Sequence, residues 1–188
     1  MELSNLNIKY GLCISLGANI DSKFGPPKES LIQVKPLIEA IVYSLIDKKD
    51  KKSLHKEYKK EIFNWSSLYE TVPEGTNKIQ PNFINCVLLV NCDLLCKPSI
   101  KVARDILKEF QNLERKFGRK RDLEQERWLP RCLDIDLLWW ENLKINEDDL
   151  ILPHPRIIYR NFVISPLAEV LSKSQNIKKI FDKGWSIN

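Results

Sequence analysis

Between Ser99 and Gly118 apolar residues at 103, 106, 110, 113 and 117 have the spacing of a single stripe along an α-helix. On either side lie two apolar runs, "FINCVLLVNC" (83–92) and "CLDIDLLWW" (132–140), which read as strands. A helix with one apolar stripe must set it against another element, and flanking strands offer a sheet face. The same unit is expected once before. "GLCISLGANI" (11–20) reads as a strand ending at Gly17, positions 31, 34, 38, 41 and 45 recur at helical spacing with Pro36 near the helix start, and "IFNWSSLYET" (62–71) alternates like a strand. Strand, helix, strand, strand, helix, strand is the order of the split βαβ, ferredoxin-like fold, an α+β arrangement in which an antiparallel sheet carries helices on one face. The C-terminal remainder, through "PHPRIIYRNFVISPLAEVL", is expected to add a short ribbon and at least one further helix.

A chain of 188 residues suits one domain, expected to run over 1–188 with an extended connector around 21–61. Seven lysines between 48 and 60 lie in that connector among acidic residues and read as a solvated loop or helix end. No stretch reaches the roughly 18 uninterrupted apolar residues of a membrane helix, and the first residues do not resemble an export signal. Five cysteines, an odd number, sit mostly in apolar surroundings with only two histidines in the chain, so reduced thiols in a cytoplasmic protein are expected rather than disulfides or zinc. A formal charge of +5 is compatible with nucleic acid, anionic lipid or a phosphate-rich small substrate, and only the placement of the charges separates these.

Asp134 and Asp136 stand two positions apart in the last strand. Side chains at i and i+2 share a face, so the two carboxylates project side by side while Leu133, Ile135 and Leu137 turn to the core. Two ionised carboxylates on one face repel, and without a cation one should hold a proton or sit in water. Oxygen-only ligation with few protein ligands suits Mg²⁺, which keeps several waters and takes substrate phosphates as further ligands. A lone Asp-x-Asp is no more than the polar side of a half-exposed strand. Its company changes the reading. Arg119 and Arg121 follow the second helix in "FGRKR", Arg127 and Arg131 flank Trp128, and His154 in "LPHPR" precedes Arg156 and Arg160. Guanidinium forks complement phosphate oxygens, so arginines beside a paired-carboxylate strand make a site for a nucleotide polyphosphate.

The sequence resembles the 6-hydroxymethyl-7,8-dihydropterin pyrophosphokinases, folate-pathway enzymes that transfer pyrophosphate from ATP to a pterin alcohol. The blocks that carry the resemblance are "ISLGANI", "SSLYETVPEG", "QPNFINCVLLV", "LERKFGRKR", "ERWLPRCLDIDLLWW" and "LPHPRIIYRNFVISPLAEV", in the family's order. It implies ATP as co-substrate, with two Mg²⁺ ions held between the phosphates and the carboxylates of Asp134 and Asp136. It also implies that Arg119 and Arg131 act on the phosphates, that Glu114, His154 and Arg160 contact the nucleotide, and that Arg121 and Trp128 belong to a loop closing over the site. Thr71, Phe83, Asn85 and Phe162 would form the pterin pocket, with Asn85 reading the edge of the heterocycle and the two aromatic rings sandwiching it. The chain is expected to act as a monomer on these two small molecules, without nucleic acid or membrane.

Two other classes compete. An RNA-binding module on a similar sheet would need exposed aromatics on adjacent central strands in a ribonucleoprotein signature that this chain lacks. Another Mg-dependent nucleotidyl or phosphoryl transferase would keep the Asp pair but need not bind a pterin.

Overall fold

The chain runs β1 (Leu12–Ala18), α1 (Pro27–Ser44), β2 (Phe63–Trp65), β3 (Tyr69–Thr71), β4 (Phe83–Val90), α2 (Ile100–Phe117) and β5 (Asp134–Trp140). A ribbon of β6 (Ile145–Glu147) and β7 (Leu150–Leu152) and a C-terminal helix, α3 (Asn161–Ser174), complete it. The computed structural model describes residues 11–46, 62–91, 95–120 and 128–174. The lysine-rich stretch 48–60, together with Cys92, Arg121 and Arg127, lies outside the described residues.

β1 is central, paired antiparallel with β4 on one side and β5 on the other. β2 and β3 share the outer edge of β4, β2 pairing at its end near Val90 and β3 near Phe83. The run 62–71, expected as one strand, is therefore two short strands separated at Ser66–Leu68. Ser66 bridges the break: its N–H donates to the Val87 carbonyl and its hydroxyl accepts from the Val87 N–H, each at 2.9 Å.

The two crossover helices cover one face of this sheet. Leu12, Ile14 and Leu16 of β1 join Cys86, Leu88 and Val90 of β4 and Ile135 and Leu137 of β5 beneath Leu31, Val34, Ile38 and Val42 of α1 and Ala103, Ile106, Phe110 and Phe117 of α2. α2 matches its sequence signals. Ser99 caps it by accepting from the Val102 N–H, and Gly118 ends it at φ 110°, a left-handed conformation that glycine adopts without strain. α1 starts earlier than its apolar stripe, with Pro27 in the first turn, so Pro36 falls mid-helix rather than near the start. Pro36 is exposed, on the side of α1 away from the buried Val34 and Ile38.

The opposite face is divided. Cys13, Val87, Leu89, Leu138 and Trp139 pack against Ile157, Val163, Leu167 and Val170, so the C-terminal addition roofs one half of it. A register shift opposite Cys13 and Ile14 lets Leu138 and Trp139 both join this second core. The other half, toward Gly17 and Asp134, is left open.

Candidate active site

The uncovered half of that face floors a cavity of about 780 Å³. Alternation places its floor. On β1 the residues that alternate with buried Ile14, Leu16 and Ala18 are Ser15 and Gly17; on β4 the corresponding pair is Phe83 and Asn85; on β5 it is Asp134 and Asp136, and all six line the cavity. Register sets them in two rows. Gly17 faces Asn85 on one side and Asp134 on the other, while Ser15 faces Val87 and Asp136.

The repulsion expected between the two aspartates is met by arginines. Arg119 and Arg131 both donate to Asp134, one to each carboxylate oxygen, and Arg160 donates to Asp136 at 2.9 Å. Burial pushes the Asp134 carboxyl up, but the guanidinium groups of Arg131 and Arg119 outweigh it and hold its pKa below the usual carboxylate value. Glu114 does not line the cavity. It is buried behind Arg119, accepting from that guanidinium and, at 2.9 Å, from the Ile135 N–H. It joins α2 to β5 and fixes Arg119, where the resemblance implied a nucleotide contact.

On the other side of Gly17, the Asn85 side-chain amide donates to Thr71 Oγ1 at 2.8 Å, leaving its carbonyl oxygen toward Gly17. A Cβ at Gly17 would sit 2.5 Å from that oxygen, so the glycine makes room for the amide. Phe83 enters the cavity from β4 and Phe162 from the start of α3, with the Arg160 guanidinium 5.3 Å from the Phe162 ring centre.

Trp128 lines the cavity and is partly exposed. It holds a positive φ of 70°, a costly conformation for a bulky residue and the kind found at sites that hold a side chain in place. Its ring lies where a Cβ on Gly75 would approach within 3.2 Å, and Arg156 packs over it at 5.1 Å. His154 is set back from the wall; its backbone N–H donates to the Leu138 carbonyl at 2.7 Å and its Nδ1 accepts from the Arg156 N–H at 3.2 Å. Burial lowers its pKa, Asp136 opposes this, and Arg160 and Arg156 add to it, so the ring favours its neutral form.

Of the residues singled out in sequence, Thr71, Phe83, Asn85, Arg119, Trp128, Arg131, Asp134, Asp136, Arg160 and Phe162 converge on this cavity. Glu114 and His154 stand behind it, and Arg121 lies outside the described residues. Sequence reading passed over Ser15, Asn19 and Gln80 and took Gly17 only as the end of a strand. The small residues of β1 alternate with Leu12, Ile14 and Leu16, a signal that one side of that strand is kept low.

The donor set fits a divalent cation shared with phosphates. Two carboxylates on one face supply only oxygen, and among the described residues no group of three or more His, Cys, Asp or Glu side chains could hold a metal unaided. The remaining ligands would have to come from water and substrate. No described helix is long and apolar enough to cross a membrane, and Cys13, Cys86 and Cys132 are buried free thiols.

The chain is similar to known proteins. A family model described as 7,8-dihydro-6-hydroxymethylpterin-pyrophosphokinase matches residues 13–172. A Bacillus subtilis protein named 2-amino-4-hydroxy-6-hydroxymethyldihydropteridine pyrophosphokinase is 35% identical over 117 residues, which are 62% of this chain and 64% of that one. A folate synthesis bifunctional protein of Arabidopsis thaliana is 31% identical over 158 residues, 84% of this chain but 26% of its own length. The folic acid synthesis protein fol1 of Pneumocystis carinii is 34% identical over 110 residues, 13% of its length. The matched region is thus less than two thirds of each of these relatives.

Proposed function

Since the chain belongs to the 7,8-dihydro-6-hydroxymethylpterin-pyrophosphokinase family, we propose that it transfers pyrophosphate from ATP to the hydroxymethyl group of 6-hydroxymethyl-7,8-dihydropterin, releasing AMP. The observation that carries this reading is the row Asn85, Gly17, Asp134 across three neighbouring strands. Adjacent strands are about 4.8 Å apart, so the strand positions that carry an amide suited to a heterocycle edge and a carboxylate suited to a metal-phosphate group are roughly 10 Å apart, with only a glycine between them. A flat ring over Asn85, flanked by Phe83 and Phe162, would direct its hydroxymethyl arm over Gly17 toward phosphates above Asp134 and Asp136.

In this reading the pterin oxygen attacks the β-phosphorus in line. The oxygen–phosphorus bond forms, the bond from that phosphorus to the oxygen bridging to the α-phosphate breaks, AMP departs, and the hydroxyl proton is released to solvent. Asp134 and Asp136 would hold two Mg²⁺ ions, which would supply charge neutralisation on the phosphates. Arg119, Arg131 and Arg160, at present paired with those carboxylates, would turn their free N–H groups to the phosphate oxygens, keeping the charge of the cluster balanced. Trp128 would exclude water from the activated phosphates. The chain would do this as a cytoplasmic monomer acting on small molecules, with no nucleic acid.

The test is product identity. Incubation with ATP, Mg²⁺ and the hydroxymethyl pterin, followed by phosphorus NMR and mass spectrometry, should give AMP and the pterin diphosphate in equal amounts. ADP with a pterin monophosphate, or free pyrophosphate with an adenylated product, would assign the site to another transferase.

A further inference from the structure

Asn19 follows β1 directly and is 2% exposed, yet it belongs to neither substrate subsite. Its carboxamide is fully engaged. Oδ1 accepts from the Arg131 N–H at 2.7 Å, and Nδ2 donates to Gln80 Oε1 at 3.0 Å and to the Pro81 carbonyl at 3.1 Å. Its backbone N–H also donates to the Arg131 carbonyl at 2.9 Å. Gln80 continues the chain of contacts, its Nε2 donating to the Trp128 carbonyl at 3.3 Å.

These bonds join two segments far apart in sequence. Arg131 and Trp128 belong to the segment that leads into β5 and grips Asp134; Gln80 and Pro81 belong to the segment that leads into Phe83 and Asn85. An amide is suited to this because it offers a donor and an acceptor from one rigid group. Gln80 uses both of its ends in the same way.

We infer that Asn19 and Gln80 are positioning residues that couple the nucleotide and pterin subsites, so that a nucleotide ordering Arg131 and Trp128 also sets the backbone carrying Phe83 and Asn85. The inference rests on the two-substrate reading above. Among the described residues the apolar contact between the two segments is the Trp128 ring beside Gly75, and it is not a buried one: Trp128 is 38% exposed, and the loop residues Val72 and Ile79 are exposed. The hydrogen bonds through Asn19 and Gln80 are therefore the oriented link, buried at Asn19, through which binding at one subsite can act on the other, and the coupling must be reciprocal.

Isothermal calorimetry tests this with three measurements: Mg²⁺ and a non-hydrolysable ATP analogue alone, the hydroxymethyl pterin alone, and the pterin at saturating analogue. Wild type should bind the pterin about 5- to 150-fold more tightly when the analogue is present, the usual span of coupling between sites. Gln80→Met keeps size and neutrality but offers neither polar end; it should bring that ratio to within about threefold of unity while each ligand binds alone to within about threefold of wild type. Asn19→Asp keeps the acceptor for Arg131 and loses both donors, and should reduce the ratio equally. Combining the two should cost no more than either one, as for residues in a single link. A purely structural role would lower both single-ligand affinities and leave the ratio standing, which would overturn the inference, as would a wild-type ratio of one. Wild type that binds no pterin under any condition would instead overturn the two-substrate reading.

Discussion

Gly17 stands opposite Asn85 across the β1–β4 pairing, its Cα beneath the Asn85 carbonyl oxygen with no room for a methyl group between them. Backbone cannot move aside here because Gly17 is also paired with Asp134. Gly17→Ala should therefore displace the Asn85 amide and strain its bond to Thr71. Pterin affinity is expected to fall at least about tenfold, roughly 1.4 kcal/mol or more, with affinity for the nucleotide analogue changed far less. Titration of each ligand separately checks this, and an equal loss for both would refute the placement.

Asp134 and Asp136 differ in what they hold. Both Asn variants should lose turnover by at least about 100-fold if they carry the metal–phosphate charge. Asp134→Asn should also lower stability, by about 1–3 kcal/mol and by more than Asp136→Asn, because it leaves two arginines, Arg119 and Arg131, without their shared carboxylate, where Asp136→Asn leaves Arg160 alone. Denaturant titration of the two variants beside wild type gives the comparison.

Glu114 is a support, and its variants should behave as such. Glu114→Ala leaves the Ile135 N–H without an acceptor and removes one partner of Arg119 in a buried place, a loss of about 3–5 kcal/mol. Glu114→Gln can still accept from Ile135 and should recover a good part of that stability, while turnover stays reduced because Arg119 is less firmly aimed. Chemical denaturation together with initial rates distinguishes these effects.

Phe162→Ala should weaken pterin binding by removing one apolar wall, by about 1–3 kcal/mol, and leave nucleotide binding nearly intact. Loss confined to the nucleotide would move Phe162 out of the pterin pocket.

His154 gives the pH dependence. Its folded pKa lies below the ordinary value of about 6.5, so as pH falls below about 6.5 the unfolded chain takes up a proton that the folded site resists. Its contribution is fully present above that range and declines through the window between the two values. Wild type should lose stability relative to His154→Gln on acidification from pH 7 to 5, at no more than about 1.4 kcal/mol per pH unit, and the difference should be flat from pH 7 to 9. Thermal midpoints across that range check the sign.

Much of this was legible in the chain because local rules were obeyed there. Ser99, the stripe from Ala103 to Phe117, and Gly118 define α2 by capping and periodicity, and the alternation through Asp134 and Asp136 puts two acids on one face whatever the fold. Position in the sheet was not legible. That Glu114 lies under Arg119 follows from how α2 crosses β5, a tertiary fact that helical spacing does not contain. Asn19 passed unnoticed for the same reason: its partners are more than 60 residues away at Gln80 and Pro81 and 112 away at Arg131. The break in the run 62–71 was hidden because alternation continues through Ser66 and Leu68 while the pairing does not.

The division of one sheet face between α3 and the cavity ties the capacity of the site to the seating of a helix. Val163, Leu167 and Val170 pack over Cys13 and Val87 while Ser15, next along β1 on that face, lines the cavity, so enlarging the cavity on this side means trimming that hydrophobic roof. Broadening the specificity of this scaffold would thus draw directly on its resistance to unfolding, and compensating mutations should be sought at the far end of α3.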